Sequence, residues 1–420
     1  MKEKVLNLIQ NYLGFLARLK VKWAKPKIIA ITGSYGKTSA KEAVFQVLSQ
    51  KFGSDVGKNY GNMNSVLGLP LAILGLKSYN FGAGFIVDLA RAKWGFFFHK
   101  LPKILVLELG IDKPGEMAQL LRIITPDISV ITGISETHLE KLKNIETVRR
   151  EKELVFKSLP KNGVAMFSAD DENSRDLDFP VGVKKISFGK NGDIKYKNLK
   201  VEITGTNFDL EIADETVAIK SKLVGEHLVQ NLLIAAAAGK EFGISAEEIK
   251  TSLEKIKPQP GRMNPLKTKN QMLVLDDSYN SNPFSAQKAL QTLKAIDWSG
   301  RRVAILGNMN ELGNFTTNGH LLVGEVAGKS ADLLIFVGPN AKLLASGAEK
   351  SGMPKNKIKI FATTDEAIKS LDSLLVPGDI ILIKASQNGM RFENIVKYLL
   401  DDENLAKKVL VRQEKKWRRK

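Results

Sequence analysis

The 420-residue sequence contains no cysteine, which excludes disulfides, thiolate metal sites and a cysteine nucleophile and suits a reducing compartment. It also lacks any uncharged apolar run of the roughly eighteen residues that a membrane span requires. The richest stretch, FGAGFIVDLARAKWGFFF, is broken by Asp88, Arg91 and Lys93. Asn7, Gln10, Asn11 and Arg18 interrupt any apolar core near the start, which argues against a secretory signal. Internal repeats, low-complexity tracts, an aromatic-rich RNA-binding signature and a recognition-helix signal are missing as well. A cytoplasmic protein without a nucleic-acid partner is expected.

With 43% hydrophobic and 26% charged residues, the chain reads as globular and long enough for two or three domains. Its formal net charge of +18 suits acidic small molecules, an anionic membrane surface or nucleic acid. Much of that charge lies at the ends. The last stretch, KKVLVRQEKKWRRK, reads as a basic tail. The first places Leu6, Ile9, Leu13 and Leu16 on one helical face among lysines and arginines. Such a face suits either docking on its own domain or peripheral contact with anionic lipid.

Apolar runs of strand length alternate with helical stretches: KIIAITG, KILVLELG, DISVITGIS, GVAMFSAD, QMLVLDDS, RRVAILGN, DLLIFVG and DIILIKAS. That alternation predicts an α/β fold with mostly parallel sheets. From Lys184 to Lys222 the pattern shifts to polar–apolar alternation, which predicts an antiparallel insertion. EKIKPQPGRMNP, with three prolines and a glycine, is the expected linker. The division read from these signals is a leader over 1–25, a central ATP-binding domain over 26–257 and a C-terminal domain over 258–420.

The stretch AITGSYGKTSAKE resembles a phosphate-binding loop but has Ile31 where the commonest pattern has its first glycine. Gly33, Gly36, Lys37 and Thr38 leave a G-x-x-G-K-T turn between strand and helix. Its amides can cradle phosphate oxygens, Lys37 can reach outer phosphates, and Thr38 can offer a hydroxyl to magnesium. Glu108, ending the strand in VLELG, suits either a hard metal ligand or a cap on the next turn. His138 follows another strand and suits either ligation or a structural hydrogen bond. Lys152 reads alone as part of a charged helix face. DDSYNSNP, Asp276 to Pro283, suits a helix start or a nucleotide or metal site.

Taken in order, TGSYGKTSAKE, GNMNSVLGLP, VLELGIDKPGEMAQLL, PDISVITGISETHLE, REKELVF, VGEHLVQNLLIAAAA, PGRM, DDSYNSNP, LGNMNELG and PGDIILIKAS resemble the motifs of the Mur ligase family. The resemblance is closest to its D-alanyl-D-alanine-adding members and runs from Thr32 to about Asn394. It implies a P-loop ATPase-like central domain and a Rossmann-like C-terminal domain. It also implies an ATP- and magnesium-dependent amide ligase of peptidoglycan precursor synthesis, acting as a monomer. Such an enzyme adds D-alanyl-D-alanine to UDP-N-acetylmuramoyl-tripeptide through an acyl phosphate.

Carried over residue by residue, Gly33, Ser34, Tyr35, Gly36, Lys37, Thr38 and Ser39 hold the nucleotide phosphates. Thr38 and Glu108 bind the first magnesium, His138 the second, and Lys152 becomes an oxygen ligand on carbamylation. Asn231 reads adenine, Arg262 meets the phosphates on closure, and Asp277, Tyr279 and Asn280 border ribose and base. Asn308, Glu311, Lys384 and Ser386 fall on the C-terminal side of the cleft. Lys37, His138, Lys152 and Arg262 are the expected catalytic set.

Members of this branch begin with a separate domain for the uridine-diphosphate sugar, whereas only about twenty-six residues precede the first strand here, too few for such a domain. That end of the substrate is then held differently, held by another chain, or replaced. Gly133, where the family often has asparagine, departs as well, as do Ser65, Val66, Asn308, Ala385 and Gln387. Ligation onto another acceptor, polyglutamylating or polymer-lengthening, stays open, as does a basic P-loop ATPase acting on nucleic acid.

Overall fold

A computed structural model describes residues 2–413 except 62, 81, 83, 269 and 388. Nine strands form the first sheet: β1 (Lys27–Thr32), β2 (Val56–Lys58), β3 (Ile104–Glu108), β4 (Ile128–Ile131), β5 (Val164–Ser168), β6 (Lys184–Phe188), β7 (Ile194–Glu202), β8 (Gly205–Ile212) and β9 (Glu215–Ser221). Their order is β2-β3-β1-β4-β5-β6-β7-β8-β9, parallel as far as β7 and antiparallel from β7 to β9. The polar–apolar stretch from Lys184 therefore begins with a parallel strand and turns antiparallel only after Ile194.

The second sheet holds β10 (Asn264–Lys267), β11 (Leu273–Asp276), β12 (Arg302–Gly307), β13 (Leu333–Val337), β14 (Ile358–Phe361) and β15 (Ile380–Lys384). Its order is β10-β11-β15-β12-β13-β14, parallel except for β10. The two sheets are joined by the stretch after the helix Ala246–Glu254, where the prolines of EKIKPQPGRMNP end helical structure.

The central strands are apolar on both faces because both are covered. On β1, Ile29 and Ile31 pack with Val44 and Val47 of the helix Lys37–Phe52 and with the alanine-rich helix Glu226–Glu241. Ile28 and Ala30 face the opposite layer, where Leu13, Leu16 and Ala17 of the first helix, Lys2–Ala24, are buried. Leu13 and Leu16 thus dock on the protein as one reading of the leader allowed, whereas Leu6 is exposed and Ile9 half-buried. Among the described residues, no helix is long and apolar enough to cross a membrane.

The described part of the basic tail is docked on the second sheet's side of the protein. Residues 403–409 form a helix, and the Arg412 guanidinium, largely buried, lies 3.2 Å from Glu393 and donates to the Tyr279 carbonyl at 2.7 Å. The remainder of that predicted tail, 414–420, lies outside the described residues.

Asp276, at the end of β11, pins the linker: its carboxylate accepts from the Gly261 amide at 3.1 Å and from the Ser278 amide at 3.1 Å. Burial, with Asp277 beside it, pushes its pKa up to about 6. A raised carboxyl pKa means that the folded state prefers the protonated form. The stabilisation is complete below the unfolded value near 3.9 and is lost as pH rises through about 6. Denaturant titrations should therefore show parental stability rising relative to Asp276→Asn by roughly 2 kcal/mol between pH 6.5 and 4. Parallel stability curves over that window would contradict this assignment.

Candidate active site

β1 ends in a tight turn, Gly33 to Gly36, that feeds the helix Lys37–Phe52. Gly36 has φ 74°, and a Cβ there would stand 2.9 Å from Asn231 Oδ1. Glycine is required twice over, for its backbone and for the approach of Asn231. The turn is tied to the strand-end segment after β4. Ser34 donates from its amide to the Gly133 carbonyl at 2.7 Å and from its hydroxyl to the Ser135 carbonyl at 3.0 Å. The Thr132 hydroxyl donates to the Tyr35 carbonyl. Thr38 and Ser39 occupy the first helical turn, half-buried.

Two lysines converge on one acceptor. Lys37 Nζ donates to the Gly33 carbonyl at 2.7 Å, and Lys152 Nζ donates to the same oxygen at 2.8 Å. Lys152 projects from the helix Ile145–Lys157 and is 2% exposed. Burial lowers its pKa well below the usual lysine value, and the adjacent Lys37 lowers it further. Burial also lowers Lys37, partly opposed by Glu108. The charged-face reading of Lys152 alone is thereby corrected: the side chain points inward to the loop.

Glu108 is 3% exposed at the end of β3, the neighbour of β1. Its Oε1 accepts from Asn64 Nδ2 at 2.8 Å, while Oε2 is buried without a hydrogen-bond partner, 3.6 Å from Lys41 Nζ. Asn59 fixes the backbone here, its side chain both accepting from the Glu108 amide and donating to the Glu108 carbonyl at 2.9 Å. A hard anionic oxygen with an open coordination position suits magnesium. Among the described residues, no three or more histidine and carboxylate side chains are assembled as a metal cluster. His138 instead spans the two sheets, its Nδ1 lying 2.6 Å from Glu311 and 3.4 Å from Asp112.

From the second sheet, Lys384, at the end of β15, donates to Asp277 at 2.7 Å and to the Asn280 carbonyl at 2.9 Å. The Ser386 hydroxyl donates to the Ser281 carbonyl and accepts from the Asn310 amide, both at 2.9 Å. Asn308 joins Asn310 and Asn340 through its side-chain amide. The Arg262 guanidinium lies 4.3 Å from the centre of the Tyr279 ring. A cleft of about 80 Å³ between the sheets brings Ser34, Lys37, His138, Asn280, Glu311 and Ser386 together.

A larger cavity of about 1200 Å³ opens on the other side of Tyr35 and is lined by Tyr35, Asp171, His227, Gln230, Phe284 and Lys288, among others. Asn231 does not line it but abuts Gly36, whereas His227 and Gln230, on the same helix, do. Burial holds His227 neutral, with its pKa lowered to about 4. Tyr35 stacks on Phe284 at 4.1 Å between centroids, joining the loop to the helix Pro283–Ala295. Gly133 explains its own departure from the asparagine pattern: a Cβ would sit 2.0 Å from the Tyr35 hydroxyl. Phe284, His227 and Gln230 carry no local sequence signal; only the fold brings them beside Tyr35.

Residues 31–239 match the Mur ligase middle domain, and residues 261–387 match the Mur ligase glutamate ligase domain. The chain belongs to the Mur ligase family. The UDP-N-acetylmuramoyl-tripeptide–D-alanyl-D-alanine ligase of Bacillus subtilis is 28% identical over 387 residues, covering 92% of this chain and 78% of that protein. A MurF structure from Acinetobacter baumannii superposes with a TM-score of 0.80 at 26% identity, covering 94% of this chain and 81% of that one. The MurF ligase of Thermotoga maritima, in complex with ADP, gives 0.77 at 26% identity, covering 93% and 83%. Both sheets therefore have the architecture of this ligase family.

Gly36→Ala should strain the loop and displace Asn231. ATP turnover is expected to fall by at least about tenfold through KM for ATP, with the melting temperature lowered by only a few degrees. An unchanged KM would show that Asn231 and the turn do not shape the nucleotide site.

Proposed function

We propose that this chain joins D-alanyl-D-alanine to UDP-N-acetylmuramoyl-tripeptide at the expense of ATP. The observation that carries the reading is the convergence of the Lys37 and Lys152 amines on the Gly33 carbonyl, beside a buried Glu108 oxygen without a hydrogen bond. A site of one buried and one half-buried amine, both with lowered proton affinity, is built to receive anionic oxygens. The similarity to ligases named for this reaction, over most of the chain, supports the choice of substrates.

The substrate carboxylate takes the terminal phosphoryl group of ATP and releases ADP. The free amine of the dipeptide then attacks the carbonyl carbon, loses a proton, and phosphate departs with the C–O bond electrons. Lys37 and the amides of residues 33–39 face the charge that develops on phosphate oxygens. Glu108 and Thr38 would hold magnesium, which neutralises phosphate charge when bound. Arg262, Asp277, Tyr279 and Asn280 border the nucleotide from the second sheet, and His138 and Glu311 close the cleft between the sheets. In this reading the working units are residues 26–257 and 258–420, active as a monomer in the cytoplasm.

Lys152 is the proposed carbamylation site. Its neutral amine adds to carbon dioxide, forming an N–C bond as one C–O π bond opens and one proton leaves, and the product offers two oxygens that share one negative charge in place of a buried amine. Labelled bicarbonate should give a carbamate carbon signal in the parent protein that Lys152→Ala lacks, and that variant should lose at least about tenfold in kcat. A parental spectrum without the signal would refute the modification.

Incubation with ATP, the tripeptide precursor and D-alanyl-D-alanine should yield ADP and a product whose mass is the sum of the two substrates less water. Absence of that product, with ATP consumed on a glutamate or polymer acceptor instead, would overturn the substrate assignment.

A further inference from the structure

The first helix, Lys2–Ala24, carries two apolar stripes. One is the docked stripe of Leu13, Leu16 and Ala17; the other, Val5, Leu8, Tyr12, Phe15 and Trp23, is exposed. Spacings of three, four and eight residues place this second set along a single line of the helix. The helix Gly84–Phe98 lies against the first and repeats the pattern, with Ile86, Val87, Trp94, Phe97 and Phe98 exposed. Trp94, Phe97 and Phe98 are 68%, 67% and 65% exposed, values unusual for neighbouring large aromatics on one surface.

The two stripes meet at Trp23 and Phe97, through Phe96. Lys20 reaches from the first helix to the end of the second, where its Nζ donates to the Gly95 and Phe96 carbonyls at 2.9 and 2.8 Å. Trp23 lies 5.3 Å from Phe96, Phe96 lies 5.0 Å from Phe97, and Trp94 stacks on Phe98 at 4.2 Å. A groove of about 520 Å³ borders the patch, lined in part by Lys77, Arg91, Trp94, Phe98 and His99.

The rim of the patch is cationic. Lys4, Arg18, Lys22 and Lys25 are exposed on or just after the first helix, and Arg91, Lys93 and Lys100 on or beside the second. Asp88, the one acid within the second helix, is buried and takes hydrogen bonds from Asn80. In sequence, Glu3 is the only acid among residues 1–25, against six lysines and arginines.

We propose that this two-helix face docks on an anionic lipid bilayer surface. Aromatic rings enter the interfacial layer and the basic rim meets lipid phosphates, while neither helix spans the membrane. Charge complementarity selects this occupant over a second copy of the chain, since two copies face to face would oppose the same cations.

The test is flotation of the full chain with mixed phosphatidylglycerol–phosphatidylcholine vesicles and with pure phosphatidylcholine vesicles. The parent should partition onto the anionic vesicles at least about tenfold better, and added salt should weaken that binding. The triple variant Trp94→Ser, Phe97→Ser, Phe98→Ser should lose at least about tenfold in partitioning with an unchanged melting temperature. Lys22→Glu with Lys93→Glu, at exposed positions that leave the packing untouched, should lose anionic-vesicle binding and keeps the test decisive if the triple variant is unstable. Equal binding to both vesicle types, equal binding by parent and charge-reversed variant, or a parental dimer that these substitutions dissociate would overturn the proposal.

Discussion

The carbonyl oxygen of Gly33 receives two lysine amines, and the chemistry of the cleft depends on that single acceptor. One carbonyl dipole cannot offset two ammonium charges away from water, so burial drives at least one amine towards its neutral form. Lys152 is the deeper of the two and has Lys37 beside it, which makes it the group whose proton is least tightly held. The arrangement is costly as it stands and is relieved by anions. Phosphate oxygens arriving at the turn would stabilise Lys37 as a cation, and a carbamate would replace the Lys152 amine by anionic oxygen. A generic phosphate loop needs only the first of these. The second is an additional demand, set by the buried Lys152 amine.

Closure of the two sheets completes the site, and the backbone records how tightly it is held. His138 and Glu311 form a 2.6 Å pair across the cleft, and both have left-handed backbones, with φ 56° and 64°. Left-handed conformations in non-glycine residues carry strain and persist only where surrounding contacts fix them. The Glu140 amide donates to the Glu311 carbonyl at 3.2 Å, and Tyr35 stacks on Phe284. Three contacts of different kinds, side-chain, backbone and aromatic, thus join the loop side to the second sheet. The third exists because position 133 is glycine, which leaves room for the Tyr35 ring.

The fold was legible wherever strands are buried on both faces. β1, β3, β4, β5, β11, β12, β13 and β15 all read as apolar runs because helices cover the sheets on either side. Outside the alternating stretch of β6 to β9, the strands that gave no such signal, β2, β10 and β14, each lie at a sheet edge. An edge strand pairs on one side only and can be short or polar, as VGK and NPLK are, or alternating, as IKIF is. In the site, Lys37, Thr38 and Glu108 were legible from local pattern, because a phosphate turn and a strand-end acid are contiguous in sequence. His138 and Lys152 needed the resemblance to a family, since their partners are remote: Glu311 for one, the Gly33 carbonyl for the other. The approach of Lys41 to Glu108, the stacking of Tyr35 on Phe284, and the cavity residues His227 and Gln230 needed the fold itself.

The first helix shows why an amphipathic pattern alone could not decide between docking and exposure. Its residues are apolar on more than one face, so a single stripe of Leu6, Ile9, Leu13 and Leu16 mixes the two environments. The fold separates them: Leu13 and Leu16 share a core with Ile28 and Ala30, the strand that leads into the phosphate turn, while Leu8, Tyr12, Phe15 and Trp23 stay outside. Burying the second stripe against the same sheet is impossible, because a helix can turn only one face to it. A helix that is apolar on both sides must therefore leave one face to water or to another surface, and the aromatics of the neighbouring helix extend that face rather than cover it.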